Sequence, residues 1–346
     1  MLFGAVARRD HFCTLAALER HWYAGDSHGL RTWVLAVAVA IIVTQALSLG
    51  GLIDVSKSFY LTINFGWAGA ILGGLAFGFG MALVGTCSFG ALVRLGGGSL
   101  RSLIVLIVLG LSALAAQRGL VALARVHVFD NLSLDLGFAR DQSIGSLISA
   151  GLGVDARAAT ATIVATVLLW WVFGDNRFRK RRRSIFTATI IGLCVASGWV
   201  MTSAASHHMF AAVQVESASF VAPVGDLILQ FVAFTGVLPD YGVGLVIGVV
   251  LGAAIVAWRR RDIRWEACDD ARELGRHLMG GFLMGTGGIF ALGCSVGQGI
   301  SAASLLSVSA PIVMTSIVIG ARLGLAYLLE GSVWRAFQFG QRHPAG

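Results

Sequence analysis

Two cysteines stand in the same glycine frame. "GLAFGFGMALVGTCSFG", residues 74–90, carries Cys87, and "GFLMGTGGIFALGCSVG", residues 281–297, carries Cys294. Aligned without a gap, the segments share G-x(3)-G-x-G-x(6)-C-S-x-G. Gly74 meets Gly281, Gly78 meets Gly285, Gly80 meets Gly287, Cys87 meets Cys294, Ser88 meets Ser295 and Gly90 meets Gly297. With 45 glycines in 346 residues, glycine matches alone carry little weight, whereas a cysteine and its serine in the same register carry much more. Glycine at this density, Gly85 and Gly293 included, favours a break in a helix. A break exposes unpaired backbone N–H groups at the start of the next short helix, where the positive end of the macrodipole also lies. Ser88 and Ser295 are good N-cap residues for such half-helices. The cysteine adds a soft, polarizable sulfur with a weak S–H donor. This set suits an anion that contains sulfur better than a hard cation, which would want carboxylate or carbonyl oxygens. A lone membrane cysteine among small residues is more simply helix packing, and Cys194 in "IIGLCVASG" is read that way. The duplicated pair is read as functional, because duplicated helix breaks mark binding sites in transporters.

The elements that must carry these residues are membrane helices. The chain is 56% hydrophobic and 13% charged, against about a quarter charged in soluble domains. Apolar stretches at 32–50, 66–86, 102–123, 156–174, 185–204, 241–258, 276–293 and 311–329 have the length of a bilayer core. They are too long for barrel strands. The expected fold is therefore an all-α polytopic membrane protein of about 8–9 transmembrane helices with short broken or re-entrant helices. "RFRKRRR", residues 177–183, and "RRRDIR", residues 259–264, are basic loops that belong on the cytoplasmic side. With both fixed inside, 66–86 runs inward and 276–293 runs outward, so the two cysteine segments form an inverted repeat. The N-terminal arginines and the C-terminal Arg335 and Arg342 fall inside too. The chain then reads as one transmembrane domain, 1–346, whose halves (about 1–174 and 185–346) are joined by the basic loop 175–184. Residues 219–239, interrupted by Pro223, Gly225, Asp226 and Gly236, make no net crossing and read as re-entrant or interfacial. Asp226 is either a functional ionisable group or a helix cap.

Several function classes find no support. No basic stretch is interleaved with stacking aromatics, which argues against nucleic acid. Five cysteines without CxxC do not make a disulfide framework. No HExxH, comparable histidine spacing or GxxxxGK[ST] loop occurs, so no cofactor or metal is implied. Cys268, in "EACDDARE", reads as an exposed thiol of a cytosolic loop.

"GFGMALVGTCSFGALVRLGGGSLRSL" (78–103) and "GFLMGTGGIFALGCSVGQGISAASLLS" (281–307) resemble the YeeE/YedE family of sulphur-transport membrane proteins. "RRDHFCTLAALERHW" (8–22) is similar to that family's N-terminal cysteine segment, with Cys13 at the matching place. The resemblance implies uptake of thiosulfate or a related inorganic sulfur anion across the bacterial inner membrane. It implies that thiols matching Cys13, Cys87 and Cys294 pass the ion along, and that a TusA-like cytosolic sulfur carrier is a partner. One departure is expected at the N-terminus, where most of the membrane helix that usually precedes the Cys13 segment is lacking. The leading expectation is thus a transporter and not an enzyme, with membrane lipid around it. A membrane thiol–disulfide oxidoreductase using the same cysteines, or a scaffold for a cytosolic sulfur carrier, are the alternatives.

Overall fold

The structure is a computed structural model that describes residues 1–130, 132–137, 140–208, 213–234, 240–268 and 270–331. Gly236, Arg335 and Arg342 lie outside the described residues. In chain order the helices are α1 (Leu2–Asp10), α2 (Thr14–Ala24), α3 (His28–Leu49), α4 (Trp67–Val84), α5 (Ser88–Gly96), α6 (Leu100–Arg118), α7 (Leu120–Arg125), α8 (Ile144–Leu152), α9 (Arg157–Phe173), α10 (Asn176–Arg179), α11 (Arg182–His208), α12 (Ala222–Val232), α13 (Tyr241–Arg259), α14 (Ala271–Phe290) and α15 (Ser309–Glu330). A π-helical turn at Gly297–Ala302 lies between the last two. Strand structure among the described residues is a two-residue antiparallel ladder, β1 (Asn64–Phe65) with β2 (Leu134–Asp135).

Each of the eight apolar stretches falls on a helix. Among the described residues six helices are long and apolar enough to cross a membrane: α3, α4 continued through α5, α6, α11, α13 and α15. α9 and α12 are shorter apolar helices. α14 begins with the charged turn "ARELGRH" and is apolar from Leu278 onward. The chain is an all-α, multi-pass membrane protein.

The glycines of the repeat explain how its helices approach. A side chain at Gly78 of α4 would begin 2.1 Å from the carbonyl oxygen of Ile317 on α15. Its repeat counterpart, Gly285 of α14, would meet the carbonyl oxygen of Leu109 on α6 at 2.3 Å. Only a residue without Cβ lets these backbones touch, the usual device where lipid provides no hydrophobic drive between helices. The same contacts give direction. Gly69 lies against Phe290, Gly73 against Gly287 and Gly80 against Gly280, so α4 and α14 run antiparallel. Gly74 meets Val313 and Ser316 while Gly324 meets Ala82, so α4 and α15 run parallel. α14 packs on α6 in the same sense, Gly281 against Val105 and Gly285 against Leu109. Further out, α1 packs on α13 and α11 packs on α3.

The basic loops gather at one end of this bundle. Arg8 pairs with Asp262 at 3.1 Å, Arg183 with Asp10, and Arg31 with Asp175 at 3.6 Å. Arg101 bridges Glu266 and Glu273 at 3.2 and 2.7 Å. At the other end Ser203 of α11 accepts the Asp54 N–H, which brings the ends of α3 and α11 together. We call these the basic face and the opposite face.

Candidate functional site

The two breaks are built alike. After α4, Gly85 adopts φ 76°, and the Thr86 N–H reaches back to the Met81 carbonyl. After α14, Leu292, the counterpart of Gly85, adopts φ 55°, and the Gly293 N–H reaches the Gly288 carbonyl. Leucine is disfavoured there by roughly 1–2 kcal/mol, so the surrounding contacts impose the turn. Each chain then restarts at its cysteine. Cys87 Sγ accepts the Gly90 N–H at 3.4 Å, and Cys294 Sγ accepts the Gly297 N–H at 3.3 Å.

This corrects one expectation. The residue capping α5 is Cys87, extended at φ −84° and ψ 170°, and Ser88 is the first helical residue. The helix starts one position earlier than a serine cap requires, so the thiol takes up the third N–H. Ser88 Oγ is left fully buried without a hydrogen-bond partner. Ser295 is engaged differently, accepting from Thr14 Oγ1 at 3.2 Å.

That contact belongs to the N-terminal segment, which lies between the breaks. Cys13, extended at φ −150°, is the N-cap of α2. Its Sγ meets Thr86 Oγ1 at 3.7 Å, and a side chain at Gly90 would begin 3.4 Å from it. Cys13 thus touches the first break while the next residue touches the second. Cys87 and Cys294 are 0% exposed; Cys13 is half-buried. Cys194 lies on α11, and Cys268 is half-buried, short of the exposure expected for a loop thiol.

Cavities approach this region from both ends. From the opposite face, a cavity of about 920 Å³ reaches Ser219 and Gly293, and Arg118, Arg125, Glu216, Asp226 and Asp240 stand in its wall. Asp226 pairs there with Arg118 at 3.4 Å. From the basic face, a cavity of about 140 Å³ ends at Cys13, with Arg20 and Arg181 in its wall beside Asp10 and Asp26. A second, of about 130 Å³, ends at Thr86, with Arg94, Arg101 and Arg276 in its wall beside Glu266 and Glu273. Arg94 also donates to the Gly85 carbonyl at 3.1 Å, which ties the basic-face end to the first break. The thiols therefore lie in the packed stretch between these openings, beside the hydroxyls of Thr86, Ser88 and Ser295. Among the described residues no group of three or more His, Cys, Asp and Glu could hold a metal ion.

Thr14, Thr86, Tyr60, Ser219 and Gln298 at this centre are not singled out by the sequence reading. Thr86 lies inside the repeat, opposite Gly293, and so carries no match. Tyr60 sits in the connection "SKSFYLTINFG", which has no counterpart pattern. Gln298 donates to the Ala291 carbonyl at 2.8 Å and closes the second turn from within.

The chain matches the Sulphur transport family over residues 9–323. It is similar to the thiosulfate transporter TsuA of Escherichia coli K12, 26% identical over 92% of this chain and 90% of that protein. It is equally similar, at 26% identity, to the thiosulfate transporter TsuA of Spirochaeta thermophila, over 92% of this chain and 94% of the relative. A shorter likeness, 32% identical over 95 residues, links it to the probable transporter YedE of Escherichia coli K12. With the match running from just before Cys13 to beyond Cys294, the chain belongs to the Sulphur transport family.

Proposed function

We infer that the chain imports thiosulfate, or a closely related sulfur anion, along a path through Cys294, Cys87 and Cys13, and is not an enzyme. The observation that carries this reading is the position of the three thiols, between a cavity that ends at the second break and cavities that end at Cys13 and Thr86. The names of the full-length relatives support the substrate. Ser88, Ser295 and the amides of Gly90 and Gly297 supply donors along the path, and Gly85 and Gly293 give the breaks their shape. Residues 1–174 and 185–346 act as the pseudo-repeat halves of one transmembrane domain around this centre. The antiparallel packing of α4 and α14 supports that division.

The protein sits in the bacterial inner membrane with its basic face and both termini towards the cytoplasm, as the clustering of Arg177–Arg183 and Arg259–Arg264 favours. The ion leaves by the two cavities on that face, where a TusA-like sulfur carrier would receive it.

The test is uptake of labelled thiosulfate by protein in liposomes, with growth on thiosulfate as sole sulfur source beside it. Cys87→Ala and Cys294→Ala at matched expression are expected to lose most uptake. Wild-type rates in both would remove the thiols from the path.

A further inference from the structure

We propose that Gln298 and Arg94 are a pair of positioning residues. Each holds the carbonyl of the left-handed residue two places before a path cysteine, and so fixes where that thiol stands. The inference rests on the thiol path above and names the side chains that shape it.

A helix that ends inside a packed centre leaves carbonyls without intrahelical donors, and each needs a partner. Just past the end of α14 those carbonyls belong to Ala291 and Leu292, and Gln298 serves both. Its Nε2 donates to Ala291 at 2.8 Å and to Leu292 at 3.3 Å. Gln298 is 0% exposed. Its Oε1 accepts from Ser309 Oγ at 3.1 Å, which fixes the end of the amide that carries the donors. Its backbone N–H donates to the Cys294 carbonyl at 2.8 Å, so one residue is tied both to the turn and to the cysteine. Gly293 leaves room for the side chain to fold back, since a Cβ there would lie 3.2 Å from Gln298 Cγ. Gln298 is thus a contact that keeps Leu292 at φ 55°, a conformation leucine avoids. With both dihedrals of Leu292 held, the direction of Gly293 and Cys294 follows.

The first break repeats the device with a different side chain. Gly85, the counterpart of Leu292, is held at its carbonyl by Arg94 Nη2 at 3.1 Å. The two donors are not counterparts. In the repeat Ala91 stands opposite Gln298, and Ser301 stands opposite Arg94. Two unrelated positions therefore arrive at the same carbonyl, which marks that carbonyl as the point to be held. The settings differ too: Gln298 is sealed in the centre, whereas Arg94 is exposed in the wall of the basic-face cavity that ends at Thr86. Gly85 also needs less holding, because glycine adopts φ 76° without a steric penalty. Loss of Arg94 should matter less than loss of Gln298.

Crossed labelling tests the pair, in detergent-purified protein with Cys194 and Cys268 replaced by serine. Gln298→Met keeps the length of the side chain and removes its donors. A small thiosulfonate reagent is expected to reach Cys294 about tenfold faster in this variant, the shift that losing a hydrogen bond brings, with Cys87 still protected. Arg94→Met should speed labelling of Cys87 by a smaller factor and leave Cys294 protected. Adding Leu292→Gly to Gln298→Met should restore protection of Cys294, because glycine keeps the turn without being held. Maximal thiosulfate uptake in liposomes should fall and recover in step. Wild-type protection of each thiol in its own variant, exposure of both thiols by either variant, or no recovery with Leu292→Gly would overturn the pair. If Gln298→Met yields no folded protein, Ser309→Ala, which frees the amide to turn, decides: selective exposure of Cys294 supports the assignment and wild-type protection overturns it. Labelling does not depend on the cargo. Wild-type protein that moves no thiosulfate would end the transport reading and leave the labelling to decide the positioning.

Discussion

At the scale of single residues, the cysteines are structural before they are chemical. Cys87 and Cys294 each accept a helix-start N–H, a duty normally given to serine, threonine, aspartate or asparagine. A thiol in this role is a weak acceptor, so the amide it caps is easily shared with a passing anion. Cys13 differs, because it is half-buried at the end of a basic-face cavity. This difference predicts labelling. With Cys194 and Cys268 replaced by serine, a small charged thiosulfonate reagent added to the basic face should modify Cys13 within minutes and leave Cys87 and Cys294 untouched. Thiosulfate should slow the reaction at Cys13. A disulfide formed between Cys87 and Cys294 during turnover would favour thiol–disulfide chemistry over passage of an intact ion. Rapid labelling of either buried thiol would contradict the packed centre.

At the scale of elements, the glycines of α4 and α14 are required at particular positions and idle at others. Gly78→Ala would put a methyl group 2.1 Å from the Ile317 carbonyl oxygen, and Gly285→Ala would put one 2.0 Å from Ser112 Oγ. Overpacking of this kind costs about 1–3 kcal/mol or more. Both variants should lose folded protein in detergent chromatography and melt lower. Gly244→Ala in α13 meets nothing within 4 Å and should be tolerated. Much of this frame was legible beforehand, since span length and repeated spacing depend only on residue type and order. The antiparallel sense of the repeat followed from where Arg177–Arg183 and Arg259–Arg264 fall, and the packing of Gly73 on Gly287 agrees with it. The register of the break was not legible: serine preference points to Ser88 as the cap, and only the backbone at Cys87 shows the helix starting one residue sooner. The left-handed turn at Leu292 was equally hidden, because tertiary packing imposes it on a residue that would not choose it. Thr14 and Tyr60 reach the centre across long sequence separations, so no local pattern announces them.

At the scale of the whole molecule, the proposed path joins a large mixed-charge cavity on one face to two smaller ones on the other, where Arg20 and Arg181 stand with Asp10 and Asp26, and Arg94, Arg101 and Arg276 with Glu266 and Glu273. The mixed cavity holds Arg118 and Arg125 against Glu216, Asp226 and Asp240, with Tyr241 beside them. Glu216 lies on the segment between α11 and α12, outside the helices of membrane length. Burial, then Asp240 and Asp226, push its carboxyl from 4.5 up to about 8. Below that pH the group is neutral and Arg118 and Arg125 balance Asp226 and Asp240; above it the cavity gains a net negative charge that repels anions. Thiosulfate capture should therefore weaken by roughly several-fold as the pH at the opposite face rises through 8, and high salt should blunt the change. The sign for stability is the same. The folded protein holds a proton that the unfolded chain releases near 4.5, so stability falls as pH rises between 4.5 and about 8. Glu216→Gln should remove the pH step from uptake at low thiosulfate while leaving transport intact. Complete loss of uptake in that variant would make Glu216 part of the transport machinery itself and overturn the purely electrostatic account.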